Sequence, residues 1–161
     1  ESWATQTGFV LAEIRHARRH LHRWMRPRRV GTPLAVMPAV SRIQPRPLGV
    51  VLVIAPWNYP LQLSLAPAVA AIAAGNAVVI KPSEHAPATA RKLAEVLPSA
   101  LPPGLLDVVE GGPDIAQQLI ASRFDHILFT GQIKYIIGNL ESDPRHLAES
   151  PQSTSLLLPG S

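Results

Sequence analysis

The chain has no cysteine among its 161 residues, which removes disulfides, thiolate metal centres and every reaction that begins with a sulfur nucleophile. Aromatic residues make up only 5% of it, so it carries little from which to build a stacking platform for unpaired bases. A secretory start is missing as well: Glu1-Ser2-Trp3 runs into a charged segment, not into a basic start followed by an apolar run, and a cytoplasmic location is the expectation. Six histidines are present, but His16, His20 and His22 share one arginine-rich segment. His85, His126 and His146 stand apart without carboxylate partners at ligand spacing, which argues against a metal site.

What is present is an ordinary apolar content of 47%, enough for one domain with a sizeable core. The formal charge of +4 is concentrated, because seven arginines fall between Arg15 and Arg29. Nucleic acid and an anionic membrane surface are the partners such a cluster raises. Val10, Ile14, Ala17, Leu21 and Trp24 recur at steps of three and four, which predicts an amphipathic helix over Thr7 to Trp24 that Pro27 stops. The arginines occupy most of the remaining arc. Without an aromatic platform beside them they read as a solvated face or a subunit contact.

Thr32 to Pro47 holds prolines at 33, 38, 45 and 47 and short β-prone pieces, Leu34 to Met37 and Ser41 to Ile43, which predicts edge strands or a loose hairpin. From 47 to 80 there is no charged residue, long enough to be tested as a membrane span. Pro56-Trp57-Asn58-Tyr59-Pro60 and Gly75-Asn76 cut it into pieces too short to cross a bilayer, so it reads as buried core. Val50 to Ala55 is then a strand covered on both faces, and Leu61 to Ala74 a helix that Pro67 kinks or restarts. Gly75-Asn76 caps that helix, and Ala77 to Ile80 is a second strand. The alternation goes on with a helix over Pro87 to Leu97, a strand over Leu106 to Val109, a helix over Pro113 to Ser122 and a strand over His126 to Thr130.

Alternating strands and helices imply right-handed βαβ units and a doubly wound parallel sheet, an α/β fold in which ligands bind beyond the carboxyl ends of the strands. The residues at those exits are Pro56-Trp57-Asn58, Lys81-Pro82-Ser83-Glu84, Glu110-Gly111-Gly112-Pro113 and Thr130-Gly131. On spacing alone, Asn58 is equally a turn residue before Pro60 and Trp57 a packing residue. Lys81 is equally a solvated strand end, Glu84 a helix-start carboxylate and Gly112 a plain loop glycine.

Four segments carry a resemblance to the aldehyde dehydrogenase superfamily: Pro47-Leu-Gly-Val-Val-Leu-Val-Ile-Ala-Pro-Trp-Asn-Tyr-Pro60, Ala73-Ala-Gly-Asn-Ala-Val-Val-Ile-Lys-Pro-Ser-Glu84, Val109-Glu-Gly-Gly-Pro113 and Arg123-Phe-Asp-His-Ile-Leu-Phe-Thr-Gly131. The first of these, with Arg23-Trp-Met-Arg-Pro-Arg-Arg29, is similar to the class 3 branch acting on fatty and aromatic aldehydes. The resemblance spans residues 7 to 131 and implies a partial Rossmann-like sheet and oxidation of an aldehyde substrate to a carboxylic acid, with NAD or NADP as cofactor. It implies that the Asn58 amide donates to the aldehyde oxygen as charge develops there. Trp57 and Pro56 would line the pocket mouth, and Lys81 and Glu84, with Ser83 between them, would hold the adenosine ribose. Gly112 would let the adenine approach the backbone, and Thr130 and Gly131 would close the cleft at the fourth strand exit.

The same resemblance implies a cysteine nucleophile and a general-base glutamate within Glu-Leu-Gly-Gly, and neither is in the sequence. After Gly131 the likeness stops: Gln132 replaces a serine and the next glycine is Gly138, so the pyrophosphate contact is expected to be impaired. Residues 1–47 are thus expected to form a helix and an extended edge or oligomerisation segment, 48–131 a partial NAD(P)-binding domain, and 132–161 a divergent, frayed tail from a truncation or a shifted frame. A sheet ending at its fourth strand is expected to expose that edge and to favour association. A non-catalytic module binding a full-length relative or forming a homo-oligomer, and a basic anion-binding domain, are the competing readings. No transmembrane segment is expected, and nucleic acid is disfavoured as a partner.

Overall fold

A computed structural model describes residues 2–131 and 156–159. Helix α1 (Ser2–Trp24) starts earlier than the apolar periodicity suggests. Only part of its apolar face is covered: Val10 is buried, whereas Ile14 and Trp24 are exposed. Strand β1 (Arg28–Arg29) pairs antiparallel with β2 (Arg42–Ile43), Arg28 facing Ile43 and Arg29 facing Arg42. Between them, Leu34 to Met37 is not the extended piece its composition suggests, because Leu34–Val36 forms a 3-10 turn. Pro33 and Pro38 deprive the segment of ladder donors, and it closes on itself through Val36 N–H to the Pro33 carbonyl and Met37 N–H to the Leu34 carbonyl.

The remaining elements alternate: β3 (Val50–Ile54), α2 (Pro60–Ala73), β4 (Ala77–Lys81), α3 (Pro87–Ala100), β5 (Leu106–Val108), α4 (Pro113–Ala121), β6 (His126–Phe129) and β7 (Leu156–Pro159). They build one sheet in the order β5-β4-β3-β6-β7. The first four βα strands are mutually parallel and lie in the order third, second, first, fourth, the Rossmann-like arrangement in which the order of strand addition reverses between β3 and β6. The free edge expected on β6 is occupied, because β7 pairs with it antiparallel. Leu156-Leu157-Leu158 is an apolar run set in a serine- and proline-rich stretch that masks it in the sequence. Of the expected frayed tail, residues 132–155 and 160–161 lie outside the described residues.

Register explains the core. Val51 lies beside Val78 and Val78 beside Leu106, while Val53 lies beside Ile80 on one side and Leu128 on the other. These residues share one face of the sheet, against which α2 sets Ala68 and Ala71, residues small enough for close approach. Leu52 and Ile80 are wholly buried, each contributing about 1.5–3 kcal/mol of transfer free energy. Of the two expectations for Pro67, a kink or a restart, the restart does not occur, because α2 runs through it unbroken; α3 continues past Leu97 through Pro98 to Ala100.

Helices α2, α3 and α4 each begin on a proline, at 60, 87 and 113, and none has a side-chain cap from its own N-cap residue. Gly75, in the left-handed region at φ 89°, turns the chain out of α2 into β4. The buried Asn76 then ties the two β-strand entrances together. Its Oδ1 accepts from Leu48 N–H at 2.7 Å and Gly49 N–H at 3.0 Å, and its Nδ2 donates to the Ala71 carbonyl at 3.0 Å.

Candidate functional site

The site follows from how the parallel strands end. Ala55 N–H donates to the Lys81 carbonyl at 3.1 Å, Thr130 N–H to the Ile54 carbonyl at 3.1 Å and Val109 N–H to the Ile80 carbonyl at 2.9 Å. The exits of β3, β4, β5 and β6 are therefore joined along one edge of the sheet. Asn58, Lys81, Glu84, Gly112, Thr130 and Gly131 all belong to segments leaving that edge, on both sides of the reversal point.

Pro56 is half-buried, while Trp57 and Asn58 are exposed in the loop between β3 and α2. This loop is held from a distance. Gln6, buried on α1, directs Oε1 to the N–H groups of Leu61 at 3.2 Å and Gln62 at 3.3 Å, so it caps α2 from another helix. Sequence reasoning missed Gln6, whose polar side chain gives no local signal of a tertiary cap.

Lys81 is not the solvated strand end that its type suggests. Its side chain is 3% exposed and its Nζ donates to Glu84 Oε2 at 2.8 Å. Glu84 is 30% exposed and so connects this buried cation to the surface of the crevice. Burial opposes charge on Glu84. The hydrogen bond from Lys81 and one from its own backbone N–H, with the positive field of Lys81 and His85, outweigh burial and hold the carboxyl below its ordinary value. Ser83, also buried, accepts from His85 N–H through Oγ at 3.2 Å, which makes it a turn-forming residue of the same loop.

Gly111 and Gly112 follow β5. Gly111 has φ 149°, and a side chain there would run into Ile115. A Cβ on Gly112 would stand 3.0 Å from Asp114 Oδ1, so this turn has no room for a side chain without movement. Thr130 is half-buried, and Gly131 is exposed at φ 152°, at the limit of the described segment. Gln132 and Gly138, where the pyrophosphate contact is in question, lie outside the described residues.

The Lys81–Glu84 pair has the chemistry to meet a pair of neighbouring hydroxyls. An ammonium beside a carboxylate offers both donors and acceptors to vicinal hydroxyls, and the glycine turn leaves backbone accessible to a flat ring. Two grooves lie elsewhere among the described residues. A groove of about 510 Å³ separates α1, α2 and α3, lined by residues such as Val10, Leu65, Leu93 and Leu97, and another of about 450 Å³ lies at the opposite sheet edge near Val50, Ala77 and Leu106. The crevice at the sheet reversal is open by construction. Among the described residues no helix is long and apolar enough to cross a membrane.

Comparison with known proteins bears on the family and the fold. Aldehyde dehydrogenase family 3 member B1 of Rattus norvegicus is 48% identical over 131 residues, which cover 81% of this chain and 28% of that protein. The substrate-bound state of Staphylococcus aureus AldH superposes with a TM-score of 0.75 at 41% identity, covering 78% of this chain and 28% of that one. An NAD-dependent aldehyde dehydrogenase from Sinorhizobium meliloti gives a TM-score of 0.69 at 29% identity, covering 81% and 26%. The chain thus spans little more than a quarter of the length of these relatives. Its residues 4–138 match the profile of the aldehyde dehydrogenase family, and the chain belongs to that family.

Proposed function

We propose that this chain supplies the adenosine-binding half of an aldehyde dehydrogenase cofactor cleft, together with the amide that receives the aldehyde oxygen. The observation that carries this reading is the joining of the exits of β3, β4, β5 and β6 on one edge by backbone hydrogen bonds. In it, residues 48–131 are the partial NAD(P)-binding domain and residues 1–47 an edge or oligomerisation segment of a cytoplasmic protein.

Lys81 donates to ribose hydroxyl oxygens and Glu84 accepts from the same pair of hydroxyls. Ser83 shapes the loop between them, and Gly112 lets the base lie against backbone. Pro56 and Trp57 border the opening, and Thr130 and Gly131 flank the phosphates. The Asn58 side-chain amide donates to the aldehyde oxygen as negative charge builds on it, an interaction typically worth about 3–4 kcal/mol in a transition state. When bound, the nicotinamide supplies the hydride acceptor for oxidation of the aldehyde to a carboxylic acid. The sequence has no cysteine, so no residue here supplies the thiolate that attacks the aldehyde. Gln132 in place of a serine, and the late Gly138, weaken the hold on the pyrophosphate.

Calorimetric titration of the chain with NAD and with NADP tests the reading. Saturable binding at one site is expected, weaker than in complete family members. Absence of heat with both, from folded protein, contradicts it.

A further inference from the structure

Glu84 divides its carboxylate between two neighbours. Oε2 accepts from Lys81 Nζ at 2.8 Å, and Oε1 lies 3.8 Å from Nε2 of His85. The ammonium is buried, whereas the imidazole is 60% exposed and stands at the mouth of the crevice. Its approach is built into the loop. His85 N–H donates to Ser83 Oγ at 3.2 Å and Ala86 N–H to the Ser83 carbonyl at 3.1 Å, so the turn before α3 holds the backbone on either side of the imidazole. Burial opposes charge on Glu84, and His85 adds its field to the Lys81 hydrogen bond and charge that outweigh burial.

This division changes what a ribose meets here. A carboxylate with both oxygens free takes two neighbouring hydroxyls and rejects a phosphate, which brings a charge of about −1.5 to −2 and no proton donor. Glu84 has one oxygen committed to Lys81, and the imidazole stands beside the other, where it competes with a hydroxyl for that acceptor. A phosphate in place of the hydroxyl has a partner in the exposed imidazole, and Lys81 stays on Glu84. The backbone N–H of His85 carries the turn, and any residue except proline would keep that bond. The turn therefore leaves the imidazole itself unexplained.

We propose that His85 is a specificity-determining residue that admits a 2′-phosphate beside Glu84, so that the cleft takes NADP in preference to NAD. The inference rests on the proposed adenosine-binding role of Lys81 and Glu84, and it assigns to the imidazole the choice between the two cofactors. Specificity here is a difference between two affinities. His85 lowers the first by drawing on the oxygen that a 2′-hydroxyl needs, and raises the second by offering a donor to the phosphate.

Calorimetric titration of the full chain with 5′-AMP and with adenosine 2′,5′-bisphosphate tests it, since the two probes differ only in the phosphate on the 2′ oxygen. Adenosine 3′,5′-bisphosphate, with the same charge one position away, controls for unspecific attraction to a basic chain. The parent is expected to bind the 2′,5′ isomer most tightly of the three. His85→Ala, at an exposed side chain, should keep the fold by circular dichroism and lose about tenfold in affinity for the 2′,5′ isomer, with 5′-AMP unchanged or tighter. His85→Lys, which restores a cation, should recover the parent order. A ratio of 2′,5′-bisphosphate to 5′-AMP affinity that is the same in the parent and His85→Ala overturns the inference and leaves the adenosine-binding reading standing. Equal binding of the two bisphosphates to the parent also overturns it. Folded chain that binds none of the three overturns the adenosine-binding reading, and this inference with it.

Discussion

Gln6 Oε1 accepts the N–H of Leu61 at 3.2 Å, so a side chain on the first helix fixes the start of a helix 55 residues later. The loop held this way contains Trp57 and Asn58, and α1 thereby positions the candidate amide without touching it. Gln6→Ala strands two part-buried helix-terminal donors and is expected to cost about 1–2 kcal/mol. Gln6→Glu keeps the acceptor and adds a negative charge at a helix N-terminus, so it should stay close to the parent. Urea midpoints of the two variants check this, and equal loss in both would contradict it.

The Lys81 and Glu84 pair predicts a pH dependence. The folded-state pKa of Glu84 is lowered from its ordinary 4.5, so the pair stabilises fully above that value and the contribution is lost as pH falls through the lower folded value. Glu84→Gln leaves a buried ammonium with a weaker partner, at a cost of about 1–3 kcal/mol near neutrality. The parent and the variant should therefore converge in stability under acid. Denaturant melts from neutral pH into the acid limb report this, and a difference that stays constant would exclude the pair as its source.

Asn76 is the clasp between the entry to β3 and the end of α2. Asn76→Ala removes the acceptor of Leu48 and Gly49 N–H and the donor to the Ala71 carbonyl, an expected loss of about 2–4 kcal/mol. Asn76→Asp retains the acceptor alone and should fall between the two. Thermal melts rank the three proteins, and the reverse order would contradict this role.

A further expectation concerns turnover. With no cysteine to attack the carbonyl, the purified chain should generate no NADH from a medium-chain aldehyde. Rate proportional to chain concentration, persisting through a second purification, would contradict the proposed division of labour.

Much of the fold is legible in the residues because its signals are local. An uncharged run cut by Pro56-Trp57-Asn58-Tyr59-Pro60 and Gly75-Asn76 marks two strands and the helix between them, and the structure places those boundaries within a residue or two. The joined exits follow from strand order, which alternation constrains. What stayed hidden depends on distant partners. Gln6 looks like any polar residue of an exposed helix, and Lys81 is buried only because β4 is central and Glu84 returns to meet it. The 3-10 turn at Leu34 reflects two prolines overriding a β-prone composition, and β7 depends on a partner strand 30 residues earlier in the chain.

A bound dinucleotide is expected to meet all four strand exits at once. Backbone amide chemical shifts followed during titration with NAD test this most directly. Perturbations are expected to be confined to residues 55–58, 81–84, 109–112 and 130–131, and to disappear from the second group in Glu84→Gln. Perturbations gathered on the hairpin of β1 and β2, or at the opposite sheet edge around Val50 and Ala77, would contradict it.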